Sequence, residues 1–266
     1  VKHGNRPPEQ AEPALAGLLR GQVAVVTGGG RGNGRAIALA LAGAGAHVCV
    51  ADIDADAARG AADDIVAAGG RGFAVAWDIA DPTQAGPAVA SIHRTAGAAS
   101  ILVNNAGVEG GTWIGTLDYV ESWRRVLNAN LDGTMLVTHA LTADLKRARG
   151  CVVNVASIMS VVAYQPGASA YGAAKGALAQ WTRSLAIELA PDGVRVNAIA
   201  PGFIETTMTA GTRADPARLA YFQSRTPMRR MGLPEEVASA VLFLASPLAS
   251  YVTGVLLPVD GGLVAN

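Results

Sequence analysis

The chain of 266 residues has a formal net charge of zero, half of its residues are apolar and 16% are charged, a composition able to bury one large core. No run of Lys or Arg supplies the electrostatic footprint of a nucleic-acid or anionic-membrane binder, and no segment approaches the roughly 18 consecutive apolar residues of a spanning helix. A soluble protein with a small-molecule ligand, no nucleic-acid partner and no membrane is expected.

Residues 1–20 carry prolines and charges and lack the apolar stretch of a signal peptide, so a flexible arm without chemistry is expected there, followed by one domain over 21–266. Residues 22–27 form a β-branched run that ends in glycines, and 35–42 have helical character, which gives strand, tight turn and helix. A strand at 47–52, an alanine-rich helix near 55–68 and a strand at 72–78 complete two β-α-β units. The alternation continues through a helix near 86–96, a strand at 101–104, a long helix from about 120 to 147 and a strand at 151–155. A helix holding Tyr171 and Lys175 leads to a strand at 194–199, then a helix at 235–244 and a last strand at 255–259. Strands that are apolar throughout imply burial on both faces, as in a parallel sheet covered by helices. The expected fold is α/β, a single doubly wound, Rossmann-type parallel sheet with right-handed crossovers and a ligand beyond the carboxyl ends of the strands.

Cys49 and Cys151 both fall in strand-like runs, which suits buried, reduced thiols and a cytoplasmic protein. In the usual strand order 3-2-1-4-5 their strands lie three spacings, roughly 14 Å, apart, beyond the ~7 Å reach of a disulfide. His3, His47, His93 and His139 are scattered without ligand spacing, so no metal is expected.

The glycine turn does not fit the common G-x-G-x-x-G pattern in any frame; its spacing is Gly28, Gly32, Gly34. The mechanics are unchanged, because glycines admit close backbone approach and the following helix offers free N–H groups to a pyrophosphate. Asp52 ends the second strand at the ~20-residue offset where a carboxylate can accept hydrogen bonds from adenosine ribose hydroxyls. The same charge would repel a 2′-phosphate by about 1 kcal/mol in water and ~4 kcal/mol at an effective dielectric of 20, so NAD is expected rather than NADP. Arg31 could reach a 2′-phosphate, pair with Asp52 or face solvent.

Tyr171 and Lys175 lie one turn apart, about 140 residues after the glycine turn. Positions i and i+4 share a helix face, so the ammonium is expected to favour the ionised phenol and bring it closer to neutral pH as an acid/base.

With these features, Asn104-Asn105-Ala106-Gly107, Ser157 and Pro201-Gly202 in order, the chain resembles the short-chain dehydrogenase/reductase family in its single-domain branch of about 250 residues, from residue 22 almost to the C-terminus. The resemblance implies a catalytic set of Asn130, Ser157, Tyr171 and Lys175. It implies hydride transfer between NAD(H) and a secondary alcohol or ketone. Tyr171 would exchange the proton, Ser157 would hydrogen-bond the substrate oxygen, and Lys175 would depress the Tyr171 pKa and hold the nicotinamide ribose. Asn130 would distort its helix and hold a proton-relaying water. Gly28, Arg31, Gly32, Asn33, Gly34, Asp52, Ile53, Asp78, Ile79, Asn105, Ala106 and Gly107 would surround the nucleotide, with Asp78 at the adenine ring or, alternatively, a turn acid. Pro201, Gly202, Ile204 and Thr206 would meet the nicotinamide carboxamide. Asn33 departs from the family's usual Ile or Leu, though its backbone N–H should still serve.

Residues 203–226 read as a mobile helical lid, with Met208, Gly211, Pro216, Leu219, Tyr221 and Phe222, and with Glu109, Trp113, Met159 and Tyr164 as further walls of a mostly apolar pocket. Family membership also implies a homotetramer. A hydrolase is disfavoured, because Ser169 sits one residue short of a Gly-x-Ser-x-Gly elbow and no histidine follows it. A catalytically silent nucleotide sensor or scaffold, and an NADP(H)-preferring ketoreductase, are the alternatives.

Overall fold

A computed structural model describes residues 17–265. Seven parallel strands form one sheet in the order β3-β2-β1-β4-β5-β6-β7. The strands are β1 (Val23–Thr27), β2 (His47–Asp52), β3 (Arg71–Ala76), β4 (Ile101–Asn104), β5 (Cys151–Val155), β6 (Arg195–Pro201) and β7 (Leu256–Val259). The intervening helices are α1 (Gly32–Gly43), α2 (Ala55–Ala67), α3 (Ala85–Ala96), α4 (Tyr119–Leu127), α5 (Gly133–Ala148), α6 (Ser169–Leu189), α7 (Ala210–Ala214), α8 (Pro216–Arg225) and α9 (Pro234–Ala245).

Every residue of β1, β4 and β5 is buried, and the pleat sends alternate side chains to opposite faces. Ala24, Val26, Val48, Val50 and Val153 pack on one face against Ile37 and Leu41 of α1, Ile65 of α2 and Val241 of α9. Val25, Cys49, Leu102 and Val152 pack on the other against Ile92 of α3, Leu141 and Leu145 of α5 and Leu185 of α6. Each fully buried branched side chain contributes about 1.5–3 kcal/mol. β7 is an edge strand with half-buried residues, the position at which Pro258 is tolerated.

The structure departs from the expected elements in three places. The arm expected over 1–20 lies outside the described residues up to residue 16, but 17–20 form a turn whose Leu19 is 1% exposed within the core. The helix expected over 120–147 is interrupted by a five-residue π turn at Asn128–Asp132. β3 stops at Ala76, so Trp77 and Asp78 belong to the loop at the strand's carboxyl end. The two cysteines are free and buried on β2 and β5, with β1 and β4 between them, and burial pushes both thiols up, Cys151 to about 11.

Candidate active site

The glycine turn is built by contact. Gly28 and Gly32 have φ of +59° and +52°, in the left-handed region, and a Cβ on Gly34 would lie 2.0 Å from the Gly28 carbonyl oxygen. Asn105 braces this turn, its Nδ2 donating to the carbonyls of Thr27 and Gly28 at 3.0 and 2.9 Å. The Thr27 hydroxyl accepts from the backbone N–H groups of Asn105 and Ala106, both at 3.1 Å. No side chain caps the N-terminus of α1, so its first N–H groups remain free for an anion.

Gly28, Arg31, Gly32, Asn33, Gly34, Asp52, Ile53, Asp78, Ile79, Asn105, Ala106, Gly107 and Thr206 line a cavity of about 560 Å³ at the carboxyl ends of the strands. Asn130, Ser157, Tyr171, Lys175, Pro201, Gly202 and Ile204 line a second, of about 280 Å³. Asn33, Asn105, Gly107, Thr206 and Met208 border both, so one extended molecule can run from the first into the second. Asp52 is 8% exposed; its Oδ2 accepts from Gly30 N at 2.9 Å and its Oδ1 from Asp54 N at 3.0 Å. Arg31 pairs with Asp54, not with Asp52. Asp78 does border the nucleotide-side cavity, yet it is also a turn acid, accepting from Ala80 N at 3.0 Å. Three oxygens, Asn33 Oδ1, Asn104 Oδ1 and Asn130 Oδ1, are buried without a protein donor among the described residues, and the residues of the first and third line the cavities. Free helix-end amides, a glycine cradle and these unpaired oxygens together fit a bound dinucleotide.

The second cavity is held by a buried polar ladder that has no signature in the sequence. Asn104 Nδ2 on β4 donates to Thr138 Oγ1 and Asn154 Oδ1, and Asn154 Nδ2 on β5 donates to Thr182 Oγ1, all at 2.9 Å. These bonds tie two strand ends to α5 and to α6, the helix that carries Tyr171 and Lys175. Asn130 sits in the π turn, with Nδ2 donating to the carbonyls of Val108 and Val126 at 2.8 and 2.9 Å.

The phenol shifts opposite to expectation. Burial pushes Tyr171 up to about 12; the Ser157 hydroxyl opposes this and the charge of Glu109 adds to it. Lys175 is 4% exposed, burial lowers it to about 8, and its Nζ donates to the Val155 carbonyl at 2.8 Å. An ammonium turned toward a carbonyl, and itself disfavoured by burial, does not offset the lost hydration of a phenolate.

The substrate side is more polar than expected. Glu109, Met159, Tyr164, Met208 and Gly211 do line the cavity, and Phe203, Gln165, Thr209, Thr212 and Arg218 join them. Trp113 is 63% exposed and, like Pro216, Leu219 and Tyr221, is not part of the wall. Phe222 is not part of the wall either but packs against it, its ring centroid 3.7 Å from that of Phe203.

A family profile described as enoyl-(acyl carrier protein) reductase matches residues 28–264. The chain belongs to the short-chain dehydrogenase/reductase family. Galactitol 2-dehydrogenase of Rhizobium johnstonii is 41% identical over 250 residues, 92% of this chain and 95% of its own. The structure of a gluconate 5-dehydrogenase from Burkholderia cenocepacia, in complex with NADP and tartrate, superposes with a TM-score of 0.89 at 32% identity, over 95% of this chain and 99% of that one. That of a 7α-hydroxysteroid dehydrogenase complexed with NADH and 7-oxo glycochenodeoxycholic acid does so with a TM-score of 0.87 at 33% identity, over 92% and 96%. The protein is an NAD(P)-dependent oxidoreductase of the secondary alcohol/ketone type acting on a small molecule, and the catalytically silent reading is not favoured. No helix among the described residues is long and apolar enough to cross a membrane.

Proposed function

We propose that Tyr171 is the acid/base of this dehydrogenase, that Ser157 hydrogen-bonds the substrate oxygen, and that NAD is the preferred dinucleotide. The observation that carries the reading is the convergence of Ser157, Tyr171, Lys175 and Asn130 on one cavity that opens onto the glycine turn. When bound, the dinucleotide accepts or supplies the hydride. In reduction the Tyr171 phenol, held protonated by burial, gives its proton to the substrate oxygen as the carbonyl becomes an alcohol; in oxidation the phenolate, the minor form, takes the hydroxyl proton as the C–O bond becomes a carbonyl. The Ser157 hydroxyl donates to the same oxygen as negative charge builds there. Lys175 Nζ is placed by the Val155 carbonyl to hold ribose hydroxyls, and Asn130 Oδ1 accepts from a water that relays protons toward Lys175.

Gly28, Gly32, Asn33 and Gly34 cradle the pyrophosphate, Asp78 and Ile79 border the adenine, and Pro201, Gly202, Ile204 and Thr206 meet the carboxamide. NAD is supported by Asp52, whose buried carboxylate borders the nucleotide-side cavity, and by Arg31, whose engagement with Asp54 diverts the nearest cation from a 2′-phosphate. A homotetramer is supported by exposed apolar residues, Val120 on α4 and Ile187 on α6, at 57% and 79%. Residues 203–226 act as the lid, and the protein works in the cytoplasm.

Initial rates for secondary alcohols, sugars, steroids and cyclic ketones, each with NAD(H) and NADP(H), test this reading. Turnover with NAD(H) in preference is expected; no turnover with any partner would revive the silent binder.

A further inference from the structure

Resting on that reading, we infer that the substrate is a polyhydroxylated carboxylate, with hydroxyls held by Glu109 and the carboxylate held by Arg218. The catalytic cavity is lined by three charged side chains, Lys175, Glu109 and Arg218. Lys175 is engaged with the Val155 carbonyl. Glu109 Oε1 accepts from Gln165 Nε2 at 3.0 Å, which fixes the carboxylate, while Oε2 accepts no protein hydrogen bond among the described residues. A carboxylate oxygen accepts hydrogen bonds, and this one, on an exposed residue that lines the cavity, is open to O–H donors on a ligand. Glu109 lines the same cavity as Ser157 and Tyr171, and its partner Gln165 follows Tyr164 in the wall.

Arg218 reaches the same cavity from a different element. It stands in the first turn of α8, where the Asp215 carboxylate caps the backbone N–H of Ala217 and Arg218 at 2.9 and 3.2 Å. The neighbouring arginines of this region are all engaged: Arg213 with the Thr206 carbonyl, Arg225 with the Tyr221 hydroxyl, Arg229 with the Ser224 carbonyl and Arg230 with Glu236. Arg218 alone among them has no intramolecular partner for its guanidinium among the described residues, and it borders the cavity. A guanidinium fork matches a carboxylate in shape and charge. A ligand that carries hydroxyls and an anion engages both exposed side chains, whereas a wholly apolar alcohol engages neither and leaves both to water.

The test compares an aldonate, the alditol of the same chain length and configuration, and a monohydric secondary alcohol, in the wild type, Arg218→Ala, Arg218→Lys and Glu109→Gln. Wild type should favour the aldonate. Arg218→Ala should cut the aldonate-to-alditol ratio of kcat/KM about tenfold, through KM, with Arg218→Lys recovering part of it. Glu109→Gln should raise KM for both polyols relative to the monohydric alcohol. A wild-type preference for the alditol, or a ratio that Arg218→Ala does not move, overturns the inference. Turnover of the monohydric alcohol alone overturns it while leaving the oxidoreductase reading in place; no turnover of any alcohol or ketone with either dinucleotide overturns both.

Discussion

Lys175 follows Tyr171 by one helical turn, yet its Nζ lies 5.7 Å from the phenol ring centroid and donates to the Val155 carbonyl instead. The consequence is a buried cation with a depressed pKa. Its folded value of about 8 lies below the ordinary 10.5, so the charged form is destabilising at low pH and the penalty fades as pH rises from about 8 to 10.5. Lys175→Met should therefore be more stable than wild type at pH 7, by up to about 3 kcal/mol, and no more stable above pH 10.5. Urea denaturation at several pH values reads this directly; a difference that does not shrink with rising pH contradicts it.

Gly34 cannot accept a side chain. A Cβ there would lie 2.0 Å from the Gly28 carbonyl oxygen and 2.5 Å from Asn105 Nδ2, so Gly34→Ala must displace the turn itself. We expect a loss of about 1–3 kcal/mol in chemical denaturation together with loss of NADH binding by fluorescence titration.

Asn33 should separate stability from binding. Its Oδ1 is buried without a protein donor, and leaving such an oxygen unmet costs about 1–3 kcal/mol. Asn33→Leu is expected to raise the melting temperature of the ligand-free protein while weakening NADH binding several-fold. An unchanged dissociation constant would show that the side chain does not meet the dinucleotide.

Much of this was legible in the sequence, for physical reasons that differ from element to element. Strands such as 151–155 are apolar at every position because both faces of the sheet are covered, and the glycine spacing is forced by backbone contacts that no Cβ survives. The π turn around Asn130 was anticipated only as a distortion, because an uninterrupted helical pattern spans it. The Asn104–Asn154–Thr182 ladder was not legible: asparagines in apolar strands carry no periodic signal, and their partners are 28 to 50 residues away. The direction of the Tyr171 shift is not legible either, because i,i+4 spacing fixes which face two side chains share, not where a flexible ammonium finds its acceptor. Arg218 has no signature in the sequence, because on a short helix it resembles its exposed neighbours, and only the cavity distinguishes it.

Asp52 should govern the choice of dinucleotide. Removing its carboxylate in Asp52→Ala takes away the charge facing a 2′-phosphate, worth about 1–4 kcal/mol depending on the local dielectric, and also the acceptors for Gly30 and Asp54 N–H. The expected result is weaker NAD binding and a ratio of kcat/KM shifted toward NADP by about fivefold or more. An unmoved ratio would remove Asp52 from the specificity argument.

The proton-transfer role of Tyr171 is the claim on which the rest depends, and Tyr171→Phe isolates it, since the substitution deletes one hydroxyl and leaves the ring. Steady-state rates on the best alcohol of the panel should fall by about a hundredfold to ten-thousandfold, while the NADH dissociation constant measured by fluorescence titration stays within about twofold. Turnover that survives the substitution, or NADH binding that disappears with it, would contradict the account.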